Sequence, residues 1–373
     1  MPQTILTPEN DYAQLDEWLN EKKIHKPMVV CDGAFSHLTV SEHIQELEEQ
    51  GLFITYFTDF EPNPRYEAVE KGIQLFRETS CDAVLAIGGG SAMDVGKCIK
   101  LWAWLEDGEP YYRQKPVPNG IPLLAMPTTA GTGAEATQFA VIYVNGEKHS
   151  ISHPEALPQA VLMDPGALNT LPLYQRKSTM LDALCHAVES CWSVSSTEES
   201  RALATKAIRA VLAAKDGYLN NEPDGNAAML QAAHLAGQAI NITRTTAGHA
   251  MCYKLPTLYG LAHGHAAALC VDALFPWMIA HPERISDPRG AEQVFRALQQ
   301  ITEAMGCENA GLAAEKFHTI LGSLELPKPK AKPEDYQILK RSVNTERLGN
   351  HPYTLNEEDL DRLYHQILEG QGE

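Results

Sequence analysis

Positive charge is the first thing this chain has little of. Its 48 Asp and Glu outnumber 30 Lys and Arg, for a formal net charge of −18. Nucleic-acid surfaces want a basic stripe and anionic membranes a basic patch, so the balance argues against both as partners. An anionic small molecule stays open, because a local site can oppose the global sign. The eight cysteines, at 31, 81, 98, 185, 191, 252, 270 and 307, form no C-x-x-C pair. That scatter fits reduced thiols in a cytoplasmic protein. No basic n-region precedes an apolar h-region, so no signal peptide is expected. No run approaches the roughly 18 apolar residues that a bilayer span needs. Internal repeats and low-complexity segments are absent too.

What is present is an ordinary globular composition, 44% hydrophobic and 21% charged. With 373 residues and about 150 per domain, two domains are expected. In the first half, short apolar runs alternate with helical patterns. Residues 27–32, 53–57, 82–87 and 121–126 read as strands, and 38–50, 66–80 and the stretch from Ala92 as helices. Such alternation predicts a parallel, Rossmann-like sheet with helices on both faces. Phe139–Val144, Asn145-Gly146 and Lys148–Ser152 read as a hairpin, since Asn-Gly suits a type I′ turn. Residues 159–163 read as one more strand. Beyond Leu171 the strands stop: 177–191, 199–215, 227–241, 266–279, 290–305 and 310–321 all read as helices. The expected fold is an α/β dinucleotide-binding domain over residues 1–170 and an all-α metal- and substrate-binding domain over 171–373. Acidic runs at Glu46–Glu49 and Glu357–Asp361 read as solvated faces.

Two strand ends carry loops made for phosphate. The strand over 82–87 runs into Gly88, Gly89, Gly90 and Ser91, and a helix opens at Ala92. Glycines let the backbone approach a phosphate, and a helix N-terminus presents free N–H groups and the positive dipole end. The pattern is neither G-x-G-x-x-G nor a Walker A loop, so a plain tight turn is the competing reading. The strand over 121–126 leads into Pro127-Thr128-Thr129-Ala130-Gly131-Thr132-Gly133-Ala134-Glu135. Two such turns on consecutive strands fit a dinucleotide pyrophosphate. Asp32, also at a strand end, suits a ribose diol and would repel a 2′-phosphate, favouring NAD over NADP; an ordinary turn Asp is the alternative.

Metal-ligating types cluster in the second half. Asp182 and His186, spaced i, i+4, share one helix face. His249, His263 and His265 lie downstream, with Pro256 and Gly260 breaking any continuous helix between the first two. One carboxylate with two or three imidazoles suits Fe(II) or Zn(II) with an open position. A surface hydrogen bond, or buried hydrogen-bonded histidines, would explain the same residues. His25, His37, His43, His281, His318, His351 and His365 sit in polar or loop contexts and read as solvated.

Assembled, these residues resemble the iron-containing (group III) alcohol dehydrogenases, a family sharing its fold with glycerol dehydrogenase and dehydroquinate synthase. Gly88–Lys97 (GGGSAMDVGK) resembles its G-G-G-S-x-x-D-x-x-K segment, and 127–135 (PTTAGTGAE) its second nucleotide loop. Asn63-Pro64, Val161–Pro165 (VLMDP), Asp182–Glu189 (DALCHAVE) and His263-Gly264 resemble further family motifs. The resemblance implies Asp182, His186, His249 and His263 as ligands of Fe2+, or of Zn2+. It implies cofactor contacts at Asp32, Asn63, Gly88, Gly89, Gly90, Ser91, Asp94, Lys97, Thr128, Thr129 and Lys148. It implies hydride transfer between NAD(H) and a small aldehyde or primary alcohol, and a homodimer or larger homo-oligomer. Where many members carry a proton-relay histidine, this chain has Tyr253, so Tyr253 or His265 is expected to move the proton. Residues 245–253 and 342–348 resemble a subgroup containing phosphonoacetaldehyde and sulfoacetaldehyde reductases, which implies an anionic two-carbon aldehyde. Arg244, Lys254 and Arg347 are then the candidate anion partners. The alternatives are a reductase of plain aliphatic aldehydes and a dehydroquinate-synthase-like lyase.

Overall fold

The computed structural model describes residues 3–369. By contacts the chain divides into two units. One runs to Thr129 and resumes over Gly133–Leu171; the other comprises Ala130–Thr132 and the chain from Pro172 onward.

The first unit alternates strands and helices: β1 Thr4–Leu6, α1 Glu9–Glu21, β2 Pro27–Cys31, α2 Thr39–Glu49, β3 Thr55–Phe57, α3 Tyr66–Glu78, β4 Ala83–Gly88, α4 Gly90–Trp102, β5 Leu123–Pro127, β6 Phe139–Val144, β7 Glu147–Ser152 and β8 Ala160–Leu162. Six strands form one sheet in the order β1-β8-β5-β4-β2-β3, every neighbouring pair parallel. Parallel sheets are covered on both faces, so their strands carry unbroken apolar runs. Side chains alternate between the two faces. Val84, Ala86, Leu123 and Ala125 join one core, while Ala83, Leu85, Ile87, Leu124 and Met126 join the other. α4 lies close on β4 because Gly96 has no side chain: a Cβ there would stand 2.8 Å from that of Ala86.

β6 and β7 form the expected hairpin, turning through Asn145 (φ 51) and Gly146 (φ 81), both left-handed as a type I′ turn requires. The sequence reading has no element for β1 or α1. α1 buries Tyr12, Leu15, Trp18 and Leu19 along one stripe.

The second unit is helical: α5 Leu173–Trp192, α6 Glu198–Leu219, α7 Pro223–Thr243, α8 Ala247–Cys252, α9 Leu255–Tyr259, α10 His263–Ala280, α11 Ala291–Ala304, α12 Ala310–Ser323, α13 Asp335–Arg341, α14 Thr345–Leu348 and α15 Glu357–Glu369. α5 is buried along most of its length, including the polar Asp182, His186 and Glu189. Among the described residues no helix is long and apolar enough to cross a membrane. The run Glu357–Asp361 is not wholly a solvated face. Asp359 is only 4% exposed, because it caps α15: it accepts from Asn356 N–H at 3.0 Å and donates its own N–H to Asn356 Oδ1 at 2.9 Å.

Candidate active site

In the sheet unit, β2 has β3 on one side and β4 on the other. The chain order reverses there, and open parallel sheets bind ligands beyond the carboxyl ends of strands at such a point. Asp32 follows β2 and Gly88 ends β4. A Cβ on Gly88 would fall 2.7 Å from the Ala92 Cβ and 3.3 Å from Asp32 Oδ2, so only glycine lets the two loops meet. Asp32 Oδ1 accepts the Ala34 N–H at 3.0 Å, which fixes the carboxylate at the strand end. Gly89 precedes α4, whose N-terminus carries no side-chain cap. Thr128 N–H donates to Gly88 O at 3.0 Å, tying the second loop to the first. A Cβ on Gly89 would stand 3.7 Å from Thr129 Cγ2. Thr129 Oγ1 is buried with no hydrogen-bond partner. A buried hydroxyl left unmatched beside two glycine turns fits a phosphate oxygen. Ser91 Oγ accepts the Asn63 N–H at 3.3 Å, and Asn63 sits at φ 62 in its turn.

Lys97 and Asp94 interact with each other inside the sheet unit. The Lys97 ammonium is fully buried and donates to Ala134 O at 2.6 Å, Thr137 Oγ1 at 3.1 Å and Phe139 O at 2.6 Å. Those three bonds use all its protons and pin the segment after the second loop to α4. Burial pulls it down to about 8, against the pull of Asp94. Asp94 is pushed up to about 6 by burial, with Lys97, the Val141 N–H and Lys148 opposing. Lys148, on β7, thus sits within electrostatic reach of Asp94.

In the helical unit, three imidazoles converge on one carboxylate oxygen. Asp182 Oδ1 lies 3.8 Å from His186 Nε2, 3.4 Å from His249 Nε2 and 4.0 Å from His263 Nε2. One ligand atom each from Asp182, His249 and His263 falls within 4.8 Å of the others. His186 stands beside this trio with its ring stacked on His249 at 4.6 Å. Burial would push the Asp182 carboxyl up, but the facing imidazoles outweigh it and hold it well below the usual carboxylate range. Asp182, His186 and His249 are buried, whereas the His263 side chain is 42% exposed, so the cluster opens toward solvent on that side. α10 reaches α5 through Gly264: a Cβ there would stand 2.1 Å from Ser178 O and 2.6 Å from the Asp182 Cβ. Ala130–Thr132 of the second loop stand on the same helix, and a Cβ on Gly131 would meet Thr179 O at 2.7 Å.

Glu189 is the functional residue that spacing arguments passed over. It is fully buried and accepts from Thr246 N–H at 3.1 Å, Thr246 Oγ1–H at 2.6 Å, Gly248 N–H at 2.9 Å and His249 N–H at 3.4 Å. Its second oxygen, Oε2, faces His249 Nδ1. Those donors and the imidazole outweigh burial and hold Glu189 at about 2. Burial alone would lower His249; Glu189 and Asp182 instead raise it to about 9. Nδ1–H thus points at Glu189, and Nε2 is left facing Asp182. Such outer partners fix the tautomer of ligating histidines. Asp182, His186 and Glu189 fall at i, i+4 and i+7, one helix face, which is the signal that could have found it.

The remaining expected residues separate. His265 is 1% exposed, contacts Tyr174 Oη through Nδ1 at 3.2 Å, and burial holds it at about 4. Tyr253 follows α8, one turn after His249; burial pushes it to about 12 although Arg347 hydrogen-bonds its oxygen. Arg244 is paired with Glu346, and Lys254 is exposed. Two histidines expected in solvent are buried: His43 is 7% and His351 3% exposed. His351 packs against Trp192 and Tyr353, and His43 against Tyr12; apolar neighbours brought by the fold, not local polarity, decide their exposure.

Comparison with known proteins agrees with this geometry. Residues 2–165 match the family model for iron-containing alcohol dehydrogenase, and 177–368 that for the C-terminal part of the Fe-containing alcohol dehydrogenase family. The chain is 34% identical over 306 residues to phosphonoacetaldehyde reductase of Streptomyces viridochromogenes, covering 77% of this chain and 76% of that one. It is 29% identical over 359 residues to choline dehydrogenase of Bacillus subtilis, covering 91% and 87%. The crystal structure of sulfoacetaldehyde reductase from Bifidobacterium kashiwanohense in complex with NAD+ superposes with a TM-score of 0.87 at 25% identity, covering 100% of this chain and 98% of that one. Together the site and these matches show that the chain belongs to the iron-containing alcohol dehydrogenase family.

Proposed function

We propose that this chain is an NAD(H)-linked, metal-dependent reductase of a small aldehyde that carries a strong anion. The observation that carries the reading is the convergence of three Nε2 atoms on Asp182 Oδ1 within 3.4–4.0 Å. One carboxylate and three imidazoles fit Fe2+, and Zn2+ by the same chemistry. Asp182, His186, His249 and His263 would hold the ion. When bound, the ion polarises a carbonyl oxygen and the reduced nicotinamide supplies the hydride.

The protein's own groups prepare that chemistry. Glu189 accepts the His249 Nδ1–H, so Nε2 would be the ring nitrogen that gives up its proton and turns its lone pair to the ion. Asp32 would take the ribose diol, and Gly88, Gly89, Gly90, Ser91, Thr128 and Thr129 would take the pyrophosphate. The unmatched Thr129 hydroxyl supports that placement. Between the two proton candidates, Tyr253 is favoured. His265 is engaged by Tyr174 and held neutral, while Tyr253 keeps its O–H at neutral pH. The basic product oxygen would take its proton from there.

The preference for an anion rests on Arg347. Arg347 hydrogen-bonds Tyr253, whereas Arg244 is engaged by Glu346 and Lys254 lies out in solvent. Arg also offers bidentate geometry to a sulfonate or phosphonate. The relatives named above as phosphonoacetaldehyde and sulfoacetaldehyde reductases support the same substrate class. Eight free cysteines support a reducing, cytoplasmic compartment. The test is steady-state kinetics with sulfoacetaldehyde, phosphonoacetaldehyde and butanal. An anionic aldehyde should win in kcat/KM, and Arg347→Gln should raise KM for the anionic substrates far more than for butanal. Equal or better kcat/KM on butanal in the unmodified enzyme sinks the anionic reading.

A further inference from the structure

A second cluster of metal-ligating groups lies in the sheet unit, between α1 and α2. A ring nitrogen of His43 and one carboxylate oxygen each of Asp11 and Glu46 lie within 4.8 Å of one another. His43 and Glu46 are spaced i, i+3 on α2, so they share a face. Asp11 comes across from the first turn of α1.

His43 is an unusual residue to find so placed. It is 7% exposed, enclosed in part by Tyr12, whose ring centroid is 5.2 Å away. Its Nε2 contacts Asp16 Oδ1 at 2.8 Å. Its Nδ1 is buried with no hydrogen-bond partner. Buried polar atoms are nearly always matched, and an orphan calls for an explanation. The Asp16 contact supplies one. A carboxylate that takes the proton of one ring nitrogen leaves the lone pair on the other, the arrangement that orients a metal-bound histidine. Here the lone pair would be on Nδ1, on a ring that lies among two exposed carboxylates. Among the described residues neither Asp11 nor Glu46 has a basic partner at salt-bridge distance, the bond to His43 from Asp16 being the only ion pair in this cluster.

We propose that Asp11, His43 and Glu46 bind a divalent transition ion, separate from the Asp182 cluster, with Asp16 as the positioning residue for His43. One imidazole and two carboxylates are a borderline donor set, suited to Zn2+ or Co2+. Ca2+ is disfavoured, because it takes six to eight oxygens. The ion would clip α1 to α2. Both helices pack on one face of the sheet, so its binding stabilises the folded unit by mass action.

Zinc is the probe. Holoenzyme with its family-typical iron in place is dialysed against submillimolar zinc, and both metals are counted by elemental analysis. The unmodified enzyme should take up one zinc per chain beyond the total bound before dialysis. The double variant Asp11→Asn with Glu46→Gln should lose that equivalent and keep its iron and its activity. Both positions are exposed, so the variant should fold as before. Zinc should raise the thermal midpoint of the unmodified enzyme and not that of the variant. Counting both metals separates this uptake from exchange at the Asp182 cluster, which changes identity but not total. No extra equivalent in the unmodified enzyme, or an equal extra equivalent in the double variant, overturns the proposal.

Discussion

Replacing Glu189 with Gln is the sharpest perturbation of the candidate metal centre, because it changes one proton and almost no volume. In the native chain Oε1 collects the Thr246 and Gly248 donors and Oε2 takes the His249 Nδ1–H. The Gln carbonyl can keep the first set. Its NH2 group then stands where Oε2 was, donor against donor with His249 Nδ1–H. The inexpensive escape is for His249 to give up its Nδ1 proton and hold the one on Nε2. That turns an N–H toward Asp182 Oδ1, now 3.4 Å away, and removes the lone pair that a divalent ion needs.

Outer partners of ligating histidines are worth roughly 10–100-fold in metal affinity, which is about 1.4–2.8 kcal/mol at 1.4 kcal/mol per tenfold. Competition against a chromophoric chelator at fixed pH measures it. A control separates tautomer from packing. Thr246→Val deletes the 2.6 Å bond to Glu189 and strips Trp192 Nε1 of its 2.9 Å acceptor, without facing His249 Nδ1. It should cost about 1–3 kcal/mol of stability and leave metal affinity near that of the unmodified protein. If Glu189→Gln lowers the thermal midpoint but binds metal as tightly as the unmodified enzyme, Glu189 is a packing residue and the tautomer argument fails.

Three further substitutions probe separate parts of the structure. Gly264→Ala puts a Cβ 2.1 Å from Ser178 O and 2.6 Å from the Asp182 Cβ; it should cost about 1–3 kcal/mol by overpacking and lower metal content by pushing His263 away, so full metal content would refute the close-approach argument. Asp32→Ala should improve NADP+ use relative to NAD+ by about fivefold or more, since a carboxylate some 4 Å from a phosphate charge costs about 1 kcal/mol even in water; an unchanged ratio of kcat/KM values would move the ribose elsewhere. Asp94→Asn tests a titration. Because the folded-state value is raised from 3.8 to about 6, the folded chain keeps a proton that the unfolded chain loses in that window, so Asp94 favours folding at low pH and that advantage fades as pH climbs to about 6. The difference in thermal midpoint between unmodified and Asp94→Asn protein should therefore fall across that window and then level; parallel curves would contradict it.

Much of this site is legible in the sequence, and the parts that are not share a cause. Buried parallel strands announce themselves as apolar runs, so β2, β4 and β5 were plain, as were the glycine turns that follow two of them. Asp182 and His186 were plain because i, i+4 is set by helix geometry alone. By contrast β1 has three residues, too few for any period to show. α1 begins with three residues in left-handed backbone, Asn10, Asp11 and Tyr12, so its apolar stripe starts without a cap signal. Lys97 matched a motif position, but a motif does not say where an ammonium points; three carbonyl and hydroxyl acceptors inside the unit decide that.

The chain's net charge of −18 takes on a different meaning at the level of single residues. The acids with structural consequences are not the exposed majority but the few whose neighbours were arranged first. Asp182 and Glu189 stay ionised in the interior because imidazoles and N–H donors outweigh the loss of water. Asp94 has the buried Lys97 ammonium, the Val141 N–H and Lys148, and these do not suffice, so burial prevails and its pKa rises. Three carboxylates on two helices thus differ in their titration because of what faces them. A net charge counts all three alike, which is why it can argue against a nucleic-acid partner and yet say nothing about which acid could hold an ion.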